Sequence, residues 1–177
     1  MRKFIIFIFI FLFLTLICSC SEKSKNASYW IEKGKKLWNG KQYTDPEKAI
    51  KYLNKAIELQ QNNAETYNNR GTAYYNLGQY KLAIEDFNKA INLKQDNAEA
   101  CNNRGAAYNK LDQYQLAIES FNKAISLKQD FVDAYNNRGV VYLNNGNKER
   151  GCRDVKKTCD LGDCRTLEQA KFKGYCR

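Results

Sequence analysis

One stretch of the sequence is written twice, and this repetition constrains the fold more than any other feature. Residues 64–97 and 98–131 agree at 24 of 34 positions without a gap. The triplet Asn-Arg-Gly at 69–71 returns 34 residues later, and again 34 residues after that. A period of about 20 to 50 residues is typical of stacked-repeat proteins, in which each unit buries its apolar face against its neighbours. The repetition therefore predicts an array of similar units.

The apolar pattern inside one unit indicates two helices joined by a short turn. Tyr67, Gly71 and Tyr74 recur at the spacing of one helical face. After a short break that contains a glycine, Ala83 and Phe87 mark one face of a second helix. The small residues allow the two helices to approach closely, and the phenylalanine fills the interior between them.

This pattern resembles the tetratricopeptide repeat, whose units carry an aromatic residue, a Leu-Gly pair, a tyrosine and an Ala-x3-Phe motif. The sequence departs from the family at two places, since arginine replaces the leucine and Gln95 and Gln129 stand where the family has a late proline. The resemblance implies an all-α fold, a right-handed superhelical array of helix-turn-helix units that ends in a short C-terminal capping helix.

The same pattern divides the chain into segments. Within the first unit, Asp45 is predicted to cap a helix and Pro46 to occupy its first position, where proline is tolerated. The predicted segments are a lipoprotein signal peptide at 1–19, a flexible tether at 20–26, a degenerate unit with a three-residue insertion at 27–63, regular units at 64–97 and 98–131, a divergent unit at 132–163 and a cysteine-containing cap at 164–177.

The N-terminal segment is apolar over residues 4–17, apart from one threonine. A helix that spans a bilayer needs about 20 residues, so this run is typical of a secretory signal. The sequence Ile-Cys-Ser-Cys that ends at Cys20 resembles the bacterial lipobox. The resemblance implies cleavage after Ser19, acylation of Cys20 and a membrane-anchored lipoprotein at the outer membrane or cell surface of a bacterium. An uncleaved anchor and plain secretion are the alternatives.

Four cysteines lie near the C-terminus, and an exported chain is expected to use them in two disulfides. Three pairings can be drawn, of which we favour Cys159 with Cys164 and Cys152 with Cys176. A zinc site would need closely paired cysteines, and a redox-active pair would favour a C-x-x-C motif that the sequence lacks. Cys101 replaces an aromatic residue of its unit and is predicted to be a buried free thiol.

The composition excludes several classes of function. The chain has no histidine, so it has neither Ser-His and Cys-His nucleophile pairs nor histidine metal sites. The net charge is +10, but no run of Lys and Arg exceeds two residues. This spread favours a solvated basic surface, or attraction to an acidic surface such as anionic lipid, over nucleic-acid binding. We expect no catalytic residues, no metal and no cofactor.

The resemblance to the tetratricopeptide repeat also implies a concave groove lined by the first helices. Asn69, Asn103 and Asn137 recur once per unit and resemble the asparagine ladders of peptide-binding family members. An Asn side chain offers both a donor and an acceptor to a peptide backbone, although the series is equally explained as a local habit of the repeat. The candidate groove residues are Asn68, Asn69, Tyr75, Asn102, Asn103, Asn109, Lys110, Asn136 and Asn137.

A second periodic series consists of Arg70, Arg104 and Arg138 on the core side of the first helices. We interpret these arginines as structural: the alkyl stem packs between helices and the guanidinium reaches carbonyls or a carboxylate. The function that the whole sequence favours is a membrane-anchored adaptor that binds an extended peptide or a partner protein. The alternative is a thiol-active or self-assembling envelope protein that uses the C-terminal cysteines.

Overall fold

The computed structural model describes residues 26–177, which contain nine α-helices and, within that range, no β-strand. The predictions of a signal peptide, of acylation at Cys20 and of most of the tether fall outside the described residues. In chain order the helices are α1 (Ala27–Lys35), α2 (Pro46–Leu59), α3 (Ala64–Asn76), α4 (Tyr80–Leu93), α5 (Ala98–Lys110), α6 (Tyr114–Leu127), α7 (Val132–Asn144), α8 (Lys148–Asp160) and α9 (Arg165–Phe172).

Polar side chains begin several of these helices. The predicted cap at Asp45 is confirmed: its Oδ1 accepts a hydrogen bond from the backbone N–H of Lys48 at 3.0 Å, and Pro46 is the first helical residue. Asn63 and Asn97 cap α3 and α5 in the same way, each at 3.0 Å. Each cap satisfies a backbone donor that has no partner inside the helix.

The two helices of each unit pack through a glycine and an aromatic ring. A Cβ atom added at Gly71 would lie 2.8 Å from Cε1 of Phe87, and one added at Gly105 would lie 2.6 Å from Cε1 of Phe121. Both rings are almost completely buried. The close approach that the sequence predicted from its small residues therefore depends on the absence of a side chain at these two positions.

The array curves because its first helices lie closer together than its second helices. α1 contacts α3, α3 contacts α5, and α5 contacts α7, whereas no comparable contact joins successive second helices within residues 26–177. The first helices therefore line the concave side.

The connection between α1 and α2 is longer than the turns of the later units, as the predicted insertion requires. It folds back on itself through an isolated antiparallel bridge between Trp38 and Tyr43. The backbone N–H of Tyr43 donates to Oδ1 of Asn76 at 2.9 Å, so this loop is fixed to the first helix of the next unit.

The C-terminal cap closes the array with apolar contacts and disulfides. Ala170 of α9 packs with Leu143, Val155 and Cys176 in one buried cluster. The structure contains the Cys152–Cys176 and Cys159–Cys164 disulfides, which is the pairing that we favoured. The prediction for Cys101 is also confirmed, since it is a free thiol that is fully buried, and burial raises its pKa.

Candidate functional site

Two adjoining cavities lie along the concave side. The larger has a volume of about 440 Å³ and the smaller about 240 Å³. Trp38, Thr72, Asn102 and Asn103 line both of them. The two cavities are therefore parts of one groove, to which the four first helices α1, α3, α5 and α7 contribute.

The groove asparagines are bonded to one another across units. Asn103 donates an Nδ2–H to Oδ1 of Asn68 at 3.2 Å, and Asn137 donates to Oδ1 of Asn102 at 3.0 Å. We call these four residues the asparagine pairs. Each pair joins neighbouring units, because its members lie 35 residues apart. Asn103 and Asn137 of the predicted ladder thus each use one amide proton inside the protein.

The series is unsatisfied at both of its ends. The amide nitrogen of Asn69 is buried and has no hydrogen-bond partner, because the first unit offers buried Ile31 where later units have an asparagine. At the other end the buried Oδ1 of Asn136 also lacks a partner among residues 26–177. Within the described residues the cap follows this unit and supplies no donor to that oxygen. The hydrogen bonds of the series therefore all point the same way: the asparagine of the later unit donates and that of the earlier unit accepts.

The asparagine pairs divide donor and acceptor roles on the groove wall. Asn68 and Asn102 are 9% and 7% exposed, and each uses its oxygen to accept from the next unit. Within the described residues their amide N–H groups have no acceptor, whereas Asn103 and Asn137 keep an amide oxygen with no donor. The wall can therefore donate from one member of each pair and accept with the other.

The remaining predicted groove residues do not all reach these cavities. Tyr75 lines the smaller cavity, where burial raises the pKa of its phenol. Asn109, Lys110 and Asn136 lie on the first helices but form part of neither cavity wall. The structure thus gathers Asn68, Asn69, Tyr75, Asn102, Asn103 and Asn137 around the two cavities.

Sequence reasoning missed the aromatic residues of the wall. Trp38, 41% exposed, reaches the groove from the inserted loop, and Phe131 reaches it from the turn before α7. Tyr43 lies beneath Trp38 with ring centroids 5.2 Å apart, and its burial, followed by the charge of Glu65, raises its pKa to about 12. A tryptophan inside an insertion was the only signal for this contribution in the sequence.

Sequence reasoning also missed two carboxylates, Glu99 and Asp133, on the wall of the larger cavity. They stand 34 residues apart in the first turns of α5 and α7. Their spacing was visible in the sequence, but acidic residues are common in the first turn of a helix, where they face the positive end of its dipole.

The arginine series takes the structural role predicted for it. Arg70 donates from Nε and Nη2 to both oxygens of Asp86, each at 2.7 Å, and from Nη1 to Oδ1 of Asn54. Arg138 binds Asp154 in the same bidentate manner. Burial alone would lower the pKa of Arg70, but the hydrogen bonds and charge of Asp86 raise it.

The middle arginine has no carboxylate partner. Arg104 donates from Nε to Oγ of Ser120 at 3.1 Å and from Nη1 to Oδ1 of Asn88 at 2.8 Å. Ser120 occupies the position that Asp86 and Asp154 hold in the neighbouring units. Of the three arginines that join the two helices of a unit, Arg104 therefore does so without an ion pair.

Metal binding and membrane crossing are two further possibilities for residues 26–177. No group of three or more His, Cys, Asp or Glu side chains there could hold a metal ion. None of the helices in this range combines the length and the apolar character needed to cross a bilayer.

Comparison with known families and structures agrees with the repeat pattern. The tetratricopeptide repeat model matches residues 64–97, and a second model described as a TPR repeat matches residues 45–78 and 107–146. A curated relative, translocon at the outer membrane of chloroplasts 64 from Pisum sativum, is 42% identical over 64 residues, which are 36% of this chain and 10% of that protein. The chain thus spans about a tenth of the length of that relative.

Among solved structures, the crystal structure of MamA superimposes with a TM-score of 0.70 and 28% identity, covering 84% of this chain and 81% of that one. The first TPR of Spaghetti (RPAP3), solved with the HSP90 peptide SRMEEVD, gives a TM-score of 0.64 at 24% identity, covering 70% of this chain and 95% of that one. At that identity the second likeness concerns the fold alone.

Proposed function

The chain is a tetratricopeptide repeat protein, a scaffold for protein–protein interaction of a kind that typically has no enzymatic activity, and from that premise we propose that it holds an extended segment of a partner protein in its concave groove. We further propose that a lipid on Cys20 tethers this scaffold to a membrane of a bacterial cell envelope.

The observation that carries the groove proposal is the division of roles in the asparagine pairs. Asn102 offers an N–H and Asn103 offers a carbonyl oxygen on the wall that both cavities share. An extended peptide backbone presents the complementary groups, a carbonyl and an N–H, at every residue. A wall with fixed donors and acceptors therefore suits main-chain recognition, which is independent of the ligand's side chains.

In-cell crosslinking followed by mass spectrometry tests this proposal. The wild type is compared, at matched abundance, with a variant that carries Asn69→Ala, Asn103→Ala and Asn137→Ala. The control variant carries the same change at Asn62, Asn92 and Asn145, which are exposed and line neither cavity. We expect a partner that the wild type and the control capture and that the groove variant loses.

Equal capture by all three proteins would contradict the groove proposal and move the binding surface to the second helices or the cap. Capture of further copies of this chain alone would favour self-association. A circular-dichroism melt of each variant separates lost binding from lost folding.

The membrane tether rests on the sequence Ile-Cys-Ser-Cys that ends at Cys20 and on the apolar run before it. Growth with an alkyne-labelled palmitate should label the wild type and leave Cys20→Ser unlabelled. Labelled protein in the outer-membrane fraction would support the proposed location. An unlabelled wild type that is released from the cell would contradict the anchor and favour plain secretion.

The thiol-active alternative is tested at the cap. The Cys152–Cys176 disulfide lies in the cluster that covers the last unit, and its removal should cost stability alone. A variant with Cys152→Ser and Cys176→Ser that still captures the partner would support the scaffold. Loss of partner capture by a variant that remains folded would support the thiol-active alternative.

A further inference from the structure

The larger cavity has a charge pattern that differs from that of the chain as a whole. The chain carries a net charge of +10, yet Glu99 and Asp133 both stand on this wall, and neither forms an ion pair within the described residues. The one lysine of that wall, Lys35, lies 3.0 Å from Glu65 and 3.4 Å from Glu32.

Glu99 and Asp133 belong to a periodic acidic series whose first member, Glu65, forms an ion pair with a lysine. Glu65, Glu99 and Asp133 occupy the same position in the first turns of α3, α5 and α7. The helix dipole favours a carboxylate at all three positions. Of the three, only Glu65 forms an ion pair within residues 26–177, because the first unit supplies Lys35. Lys94 and Lys128 line a further cavity together with Glu99, but no ion pair joins either lysine to it within residues 26–177. Glu99 and Asp133 are therefore open to a cationic group of a ligand.

The same wall carries an independent sign of a ligand. Asn102 is only 7% exposed and lines the cavity, and its amide N–H groups have no acceptor among residues 26–177. A donor held in this way suits a carbonyl of the ligand backbone. The wall thus combines main-chain donors with two carboxylates that lack a counter-charge.

Building on the function proposed above, we infer that the segment bound in this groove carries a lysine or arginine side chain that lies against Glu99 and Asp133. The backbone carbonyl near this residue accepts from Asn102, and the apolar faces of Trp38 and Phe131 cover the neighbouring side chains. The partner is therefore a protein with an exposed, extended basic segment, not one with an acidic tail.

Fluorescence anisotropy with defined peptide pools tests this inference. The probes are labelled decapeptides with a fixed central Lys, Arg, Gln or Glu and with uncharged residues elsewhere, and the protein is the full-length chain. We expect the Lys and Arg pools to bind about tenfold more tightly than the Gln pool at low salt, with the difference shrinking as salt is added.

The matched variants are Glu99→Gln with Asp133→Asn, each change also made alone, and Glu119→Gln as the control. Glu119 is exposed on α6 and lines neither cavity. We expect the double variant to bind all pools as the wild type binds the Gln pool, each single variant to lose part of the preference, and the control to keep it.

The outcomes separate this inference from the function on which it rests. Equal binding of the Lys, Gln and Glu pools, lost in the triple asparagine variant, would overturn the charge preference and leave the peptide groove standing. Preferential binding of the Glu pool would overturn the inference too and direct attention to Lys41 on the smaller cavity. Absence of binding for every pool would overturn both proposals.

Discussion

The units at 64–97 and 98–131 agree at 24 of 34 positions, but they are held together differently. In the first, the bidentate pair of Arg70 and Asp86 joins the two helices. In the second, Arg104 meets only the hydroxyl of Ser120 and the amide of Asn88. Small changes within one repeat pattern can thus weaken a chosen unit while the fold stays the same.

The turn between the two helices is also less favourable in the later unit than in the earlier one. Gly78 adopts φ = +75° in the earlier unit, where glycine bears no steric penalty. Asp112 holds the equivalent place with φ = +57° and is the one non-glycine residue with positive φ among residues 26–177. The hydroxyl of Tyr114 donates to Oδ1 of Asp112 at 2.7 Å and offsets part of that strain.

The packing of the two units differs as well, but here the later unit is compensated. Tyr67 packs with Ala90 and Ala100 in its own cluster, whereas its counterpart Cys101 is much smaller. Phe131, the last residue of the later unit, packs in the cluster of Cys101. An aromatic ring in the connecting turn therefore replaces the one that the helix has lost. In the later unit an aromatic ring thus still fills the core, but Arg104 has no carboxylate partner and the turn has no glycine.

The largest effect should come from breaking the ion pair of the stronger unit. Asp86→Ala leaves the guanidinium of Arg70, whose side chain is 20% exposed, without its carboxylate. We expect it to lower the free energy of unfolding by about 3 kcal/mol, and Ser120→Ala to lower it by about 1 kcal/mol. Urea denaturation of both variants measures the difference. Equal losses would mean that the Arg70–Asp86 pair adds nothing beyond a neutral hydrogen bond.

The second effect concerns the buried phenol of Tyr43, in the loop that only the earlier unit holds. Asn76 binds the loop through Tyr43, whereas Lys110 stands at the matching place of the later unit. The pKa of Tyr43 is raised to about 12, so its stabilising contribution is complete below about pH 10, the unfolded pKa, and is lost as the pH rises towards 12.

At pH 11 this loss should reach about 1.4 kcal/mol, which corresponds to one pKa unit. Urea denaturation at pH 9 and pH 11 should give the wild type a steeper fall in stability than Tyr43→Phe, which has no phenol to ionise. Parallel falls in the two proteins would show that Tyr43 titrates as it does in the unfolded chain.

The third effect is a gain. Ser120→Asp should give Arg104 the bidentate partner of its neighbours and raise the free energy of unfolding by about 1 kcal/mol, since burial of the new carboxylate offsets part of the pairing. The gain should vanish in the background of Arg104→Met, which serves as the control. A gain that persists there would arise from something other than the restored pair.

The smallest effect should come from the turns. Asp112→Gly removes the left-handed strain but adds backbone freedom to the unfolded chain, so we expect a gain of about 0.5 kcal/mol. The reciprocal change, Gly78→Asp, should cost a similar amount. Thermal denaturation of the two variants decides, and a loss with Asp112→Gly would mean that the bond from Tyr114 outweighs the strain.

The repeat pattern was sufficient to predict the helices, because the spacing of their apolar residues is a local property of the sequence. It was also sufficient for Asp45 and Pro46, whose effect is confined to one helix start. The bond from Asn103 to Asn68 was not predictable, since it depends on how two units stack and on which way each amide points. The same holds for Trp38, whose contribution to the groove follows from the path of a loop that has no counterpart in the other units.

The asparagine pairs also bear on how such an array can change in length. Every inserted unit that carries an asparagine at both positions brings one donor and one acceptor, and each finds its partner in the adjoining unit. The buried unsatisfied groups of the asparagine series remain the two at its ends, on Asn69 and Asn136, however many units lie between them. Gene duplication within the array would therefore add binding surface without adding a buried orphan group, and a lineage could lengthen or shorten the groove at little cost in stability.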